Sequence, residues 1–224
     1  MTILDLPRRT KIEYPESDGK PMAETMTHRK AMNDVIEMLD HLFRDKPDVF
    51  VAGNLLFYYE ENDPSSVIAP DAFVVKGIPK GNRRTYRLWI ERRAPSVVFE
   101  FTSRSTRLED TGNKKSLYTM LGVREYFLCD PLSEYLTPPL QGFVLERDEY
   151  KLILPESDGS LASHELNLRL KLEDKNLRLL DVATGERLLT PAEAMEKARL
   201  AEAELTQLRA ELKRIKGETG AQET

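Results

Sequence analysis

The chain has 224 residues, 40% hydrophobic and 32% charged, which suits one well-buried domain with an appendage rather than two full domains. Its single cysteine, Cys129, excludes an intrachain disulfide framework and suggests a reducing compartment, and no run approaches the roughly 18 apolar residues needed to cross a bilayer. The formal net charge of -5 argues against a general polyanion binder, yet eleven Lys or Arg against four Asp or Glu from Lys76 to Lys115 give that stretch +7. No basic-then-apolar leader opens the sequence, so the expected location is the cytoplasm.

Residues 1–23 carry scattered prolines and charges with little periodicity and read as an extended arm. The spacing of Met32, Val35, Ile36, Leu39, Leu42 and Phe43 predicts a helix over 27–44, ending before Pro47. Short runs rich in β-branched and aromatic residues then predict strands at 49–51, 55–59, 72–75, 87–90 and 96–102. Asp110 is expected to cap a helix reaching Leu121, with Leu117, Met120 and Leu121 on its apolar face and Gly122 as its stop. A strand at 125–129 follows at once. Strand, helix, strand within about 35 residues predicts a right-handed parallel crossover and a mixed central sheet.

Alternating segments at 143–145, 150–154, 166–172 and 177–180 predict antiparallel strands extending the same sheet. From Pro191 the residues Ala194, Ala198, Ala201, Leu205, Leu208, Leu212 and Ile215 recur at spacings of 4 and 3. That is the seam of a coiled coil, and a single amphipathic helix packed on its own domain is the alternative. The expected organisation is an arm at 1–23, a domain at 24–190 and a helical extension at 191–224.

Three residues stand out chemically. Asp71 follows Pro70 at the start of an apolar strand, where a turn role and a ligand role are both open. Glu100 interrupts Val97-Val98-Phe99-Glu100-Phe101, the pattern of a strand covered on both faces, and a carboxylate there is costly unless paired, protonated or metal-bound. At about 100° per residue, Lys114 shares the helix face of Leu117 and Leu121, whereas Lys115 goes with Tyr118 and Thr119, so Lys114 is expected to point toward the sheet. Two carboxylates can hold a hard divalent cation and a nearby ammonium can stabilise an anion, the elements of a phosphodiester-cleaving site. A plain Glu100 to Lys114 ion pair satisfies the same facts. The arginines at 83, 84, 87, 92 and 93 either surround this site or form a solvated loop, and His28, His41 and His164 are expected at the surface or in caps.

Segments 15–24, Gly53-Asn54-Leu55, Ala69-Pro70-Asp71, Val98 to Ser103, Asp110 to Lys114 and Gly122 to Phe127, taken together, resemble the Uma-two family of proteins described as endonucleases. That family lies in the restriction-endonuclease-like superfamily. The resemblance implies an α/β (α+β) fold, a central mixed β-sheet flanked by helices, with a coiled-coil helix appended at the C-terminus. It implies a divalent-metal-dependent nuclease acting on DNA, with Asp71, Glu100 and a main-chain carbonyl beside Glu100 holding Mg²⁺ or Mn²⁺, and Lys114 as the catalytic lysine. Thr102 stands where the superfamily's lysine is usual, Asp110 supports Lys114 or caps its helix, and Glu24 matches an additional acid. Arg104, Arg107 and Lys115 are expected to grip flanking phosphates. The competing expectation is a non-cleaving DNA-binding or adaptor protein on the same fold. Residues 191–216 are expected to join a second copy or a partner protein.

Overall fold

The computed structural model describes residues 12–17, 19 and 25–220, with side chains to residue 214 in the last helix. Its elements are α1 (Met26–Leu42), β1 (Val49–Ala52), β2 (Phe57–Tyr58), β3 (Val67–Ile68), β4 (Ala72–Lys76), β5 (Tyr86–Arg87), the short α2 (Leu88–Glu91) and β6 (Val97–Phe101). A π-helical turn (Glu109–Lys114) then runs into α3 (Lys115–Leu121). After it come β7 (Glu125–Cys129), β8 (Leu140–Glu146), β9 (Glu149–Leu152), β10 (Leu161–Ser163), β11 (Leu168–Glu173), β12 (Asn176–Asp181) and α4 (Pro191–Gly220).

The central sheet has the order β1-β4-β6-β7-β8-β9. Only β6 and β7 run parallel, joined by the crossover through α3, and the other neighbours are antiparallel. Side chains of β6 alternate between two apolar layers. Val97, Phe99 and Phe101 pack on the side of α1 with Val35, Leu39 and Phe127. Val98 packs on the other side with Phe73, Tyr118 and Tyr126. Period 2 puts Glu100 on that same α3 side, and both faces of the strand are closed to water.

Several sequence expectations give way here. Of the run 87–90, rich in β-formers, only Arg87 lies in a strand; Leu88, Trp89 and Ile90 turn into α2, which Arg92 closes in the left-handed region at φ 54°. The strands β10, β11 and β12 form a separate three-stranded sheet instead of extending the central one, and they seal its α1 side with Leu168, Leu170, Leu177 and Leu179. No helix among the described residues is long and apolar enough to cross a membrane. Cys129 is a buried thiol at the end of β7, within the apolar run Tyr126-Phe127-Leu128.

The basic stretch is mostly occupied in structural pairing. Arg83 meets Glu91 at 2.7 Å and stacks on Phe50, Arg84 meets Glu16, and Arg87 lies over the Tyr14 ring. Tyr14 in turn packs edge-on against Tyr58, so the described part of the arm is fastened to the body. Net charge counted along the chain therefore overstated the positive charge around the site.

Candidate active site

Glu100 is 1% exposed, and each of its carboxylate oxygens accepts one hydrogen bond. Lys114 Nζ donates to its Oε2 at 2.9 Å, and the Tyr118 hydroxyl donates to its Oε1 at 2.6 Å. Lys114 also lies 2.9 Å from Asp110 Oδ1, so one ammonium bridges two buried carboxylates. The π-helical turn creates this cluster. Helical structure begins near Arg107, and Asp110 is inside it rather than at its cap. The wide turn changes the helix phase, so Lys114 and Tyr118 face inward together while Met120, expected on the apolar face, is 75% exposed.

Asp71 reaches the same place from β4. The β4–β6 ladder has its last partners at Ala72 and Phe99, beyond which Phe101 N–H needs an acceptor. Asp71 Oδ2 supplies it at 2.7 Å. The carboxylate is thereby fixed by the end of the sheet. Gly53 sets the backbone beneath it: a Cβ there would fall 2.2 Å from Asp71 O and 2.3 Å from Ile36 of α1. Gly53→Ala is expected to cost about 1–3 kcal/mol by forcing α1 and β4 apart, seen as a lower urea midpoint with an unchanged slope.

His28 was expected at the surface or in a cap, and its position corrects that. Its backbone N–H completes the Thr25 cap at 3.2 Å, while its ring is buried, edge-on to Phe101, with Nε2 3.3 Å from Asp71 Oδ2. The signal available in sequence was Thr25 three residues before it, marking a helix start whose first inward residue is His28. Tyr118 was also missed, because its inward position depends on the π-helical turn. Two further buried acids are structural. Glu125 accepts from His164 and Glu165 N–H groups, and Asp130 accepts from those of Tyr135 and Leu136.

The electrostatics follow from burial. Loss of solvent pushes the Glu100 carboxyl up to about 8; the Lys114 ammonium opposes the shift, and the charges of Asp71 and Asp110 add to it. Burial raises Asp110 in the same way, against the pull of Lys114. For Lys114, burial works against the charge, but the carboxylates of Glu100, Asp110 and Asp71 outweigh it and hold the ammonium above its usual range.

A cavity of about 520 Å³ opens onto this cluster. Its wall includes His28, Asp71, Thr102, Arg104 and Lys114, and Glu100 lies one layer deeper behind Lys114. A larger cavity, about 750 Å³, lies between α1 and the start of α4 and contains none of the three acids or Lys114. Arg107 is exposed and does not line the cavity, and Lys115 turns away to sit 3.7 Å above the Phe143 ring. Glu24 lies outside the described residues.

The donor set fits a hard divalent cation of the magnesium type. Among the described residues no three His, Cys, Asp or Glu side chains form a ready cage, but such ions are commonly held by one or two carboxylates with waters and substrate phosphate completing the shell. Each Glu100 oxygen spends one lone pair on its hydrogen bond and keeps another. Thr102 Oγ1, on the cavity wall, is buried without a hydrogen-bond partner among the described residues, as expected of a surface that meets a polar guest.

The Uma2 family model, described as "Putative restriction endonuclease", matches residues 2–183. The chain belongs to the Uma2 family. That span contains every residue of the cluster and stops short of α4. No curated protein matches the chain. Among solved structures, the crystal structure of "a putative nuclease belonging to DUF820" from Anabaena variabilis at 1.96 Å is similar, with 15% identity and a TM-score of 0.49, covering 70% of this chain and 83% of that one. Membership in Uma2 supports nuclease as the reaction class.

Proposed function

We propose that this Uma2 protein is a divalent-metal-dependent nuclease that hydrolyses phosphodiester bonds in DNA. The observation that supports it most is a cavity whose wall carries Asp71 and Lys114, with the buried carboxyls of Glu100 and Asp110 held behind it by that one ammonium, a costly arrangement of acids that a divalent cation would help to offset. Asp71 and Glu100 would hold Mg²⁺ or Mn²⁺, with a main-chain carbonyl beside Glu100. When bound, the ion supplies Lewis-acid charge beside a phosphodiester and acidifies a water.

The chain's own groups do the remaining work. Lys114 commits two of its three protons to Glu100 and Asp110 and keeps the third for a phosphate oxygen or the attacking water. Tyr118 and Asp110 lock Glu100 and Lys114 in place, so the ammonium needs no reorganisation as negative charge grows on the phosphate. His28 limits how far Asp71 can turn. Arg104 on the cavity wall grips a flanking phosphate and exposed Arg107 extends the contact along the backbone, whereas Lys115, held over the Phe143 ring, takes no part in it.

Titration of Mn²⁺ tests the ligand assignment. A proton on Glu100 competes with the cation, so affinity should climb from about pH 6 to pH 8, approaching tenfold per unit below the Glu100 pKa of about 8. Calorimetry should show that slope in the wild type and a flat profile in Glu100→Gln. A pH-independent wild-type affinity would remove Glu100 from the ligand set.

The metal-free protein should show the opposite trend in stability. Because the folded Glu100 carboxyl titrates above its ordinary 4.5, the folded state keeps a proton that the unfolded state releases, and stability falls as pH rises through that interval. Lys114, shifted upward from 10.5, stays charged in both states there and adds no slope.

A further inference from the structure

We propose that α4 is one strand of a parallel, in-register, two-stranded coiled coil formed with a second copy of this chain. This goes beyond the nuclease reading and does not depend on it.

The helix is firmly rooted and then uncovered. Thr190 and Glu193 form a reciprocal cap, Arg178 and Arg187 both pair with Glu193, and the Arg187 contact is 3.0 Å. Beyond that root, every described side chain from 194 to 214 is exposed. Leu205, Leu208 and Leu212 are 53%, 54% and 55% exposed, although they continue the seam of Ala198 and Ala201. A long helix with an apolar seam and no cover among the described residues is marginal in water, which points to a partner along that seam.

Charge complementarity identifies that partner. With Ala198, Leu205 and Leu212 at heptad position a and Ala201 and Leu208 at d, position g holds Lys197, Glu204 and Glu211. Position e holds Glu202 and Arg209, and the sequence continues it with Lys216. In a parallel in-register pair, each g residue meets the e residue five positions later on the other copy. Lys197 then faces Glu202, Glu204 faces Arg209, and Glu211 faces Lys216. Every pair is attractive, and symmetry forms each twice. In an antiparallel pair g meets g and e meets e, and overlapping the leucines sets Glu204 against Glu211. The e and g positions govern partner choice and orientation in coiled coils, so this pattern selects a parallel second copy. Leucines fill only three layers, Leu205 and Leu212 at a and Leu208 at d, and so short a leucine seam gives a reversible association.

The test uses the full chain. Sedimentation equilibrium at about 50 μM should give twice the 25.7 kDa chain mass, since reversible association is set by concentration. Ala198→Cys and Leu212→Cys, prepared separately, should each form a self-disulfide under mild oxidation, because like positions meet at both ends only in a parallel register; the native Cys129 thiol is buried. Glu204→Arg and Arg209→Glu should each weaken dimerisation by about tenfold, and the double reversal should restore it. A monomeric wild type, a trimer or larger assembly, a disulfide only in a mixture of the two cysteine variants, or a double reversal no tighter than the singles would each overturn the proposal.

Discussion

Lys114→Met is expected to destabilise the metal-free protein by about 3–5 kcal/mol near pH 8. Among the described residues the ammonium is the one cationic partner of Glu100 and Asp110, and both acids are 1% exposed. Removing it leaves two uncompensated buried carboxyls, which must either stay ionised in a dry site or take up protons. The loss should therefore shrink at about pH 5, where protonation of both acids is cheap. Adding Glu100→Gln to Lys114→Met should recover much of the loss, since one of the two stranded charges disappears. Urea unfolding of the two variants at the two pH values checks this. Equal losses at both pH values would mean that packing of the lysine stem, and not its charge, stabilises the cluster.

Glu100→Gln is expected to have opposite effects on stability and activity. The amide can turn its oxygen to Lys114 and its NH₂ to the Tyr118 hydroxyl, so the hydrogen bonds survive while the burial of a charge is relieved. Stability near pH 8 should rise by about 1–2 kcal/mol. Cleavage should fall by at least about 10²–10³-fold, the scale seen when a group acting on the transition-state charge is removed. A strained functional group commonly shows this trade of activity for stability. A variant both less stable and fully active would mark Glu100 as a structural ion-pair partner.

Much of this cluster was legible in the sequence, for reasons that can be traced residue by residue. Glu100 announced itself because a period-2 strand pattern with both faces apolar leaves no solvated position for a carboxylate. Lys114 was separable from Lys115 because even an approximate helix phase turns neighbouring residues by about 100°. That phase was nevertheless inexact. The π-helical turn at Glu109–Lys114 is invisible to a regular periodicity, which groups Tyr118 with Lys115 and starts the helix at Asp110; only the family resemblance offers Asp110 as a support for Lys114 as an alternative to the cap.

Other features depended on contacts between distant segments. Asp71 holds Phe101 N–H across 30 positions of sequence, and no local pattern records that the ladder stops there. His28 looked like a scattered histidine until α1 was set against the end of β4 and β6. The arginines from 83 to 93 read as a basic site because they are close in sequence to the acids, yet Glu91, Glu16, Phe50 and Tyr14 claim several of them. The seam of α4 needed only the sequence, because a heptad repeat is local by nature.

The most direct measurement is nicking of supercoiled plasmid by the purified full chain in Mg²⁺ and in Mn²⁺. Cleavage is expected, abolished by EDTA and lost in both Asp71→Asn and Glu100→Gln under conditions where each variant is folded. Nicking that persists in EDTA or in Glu100→Gln, or a wild type that cuts no supercoiled, linear or single-stranded DNA with either ion, would contradict it.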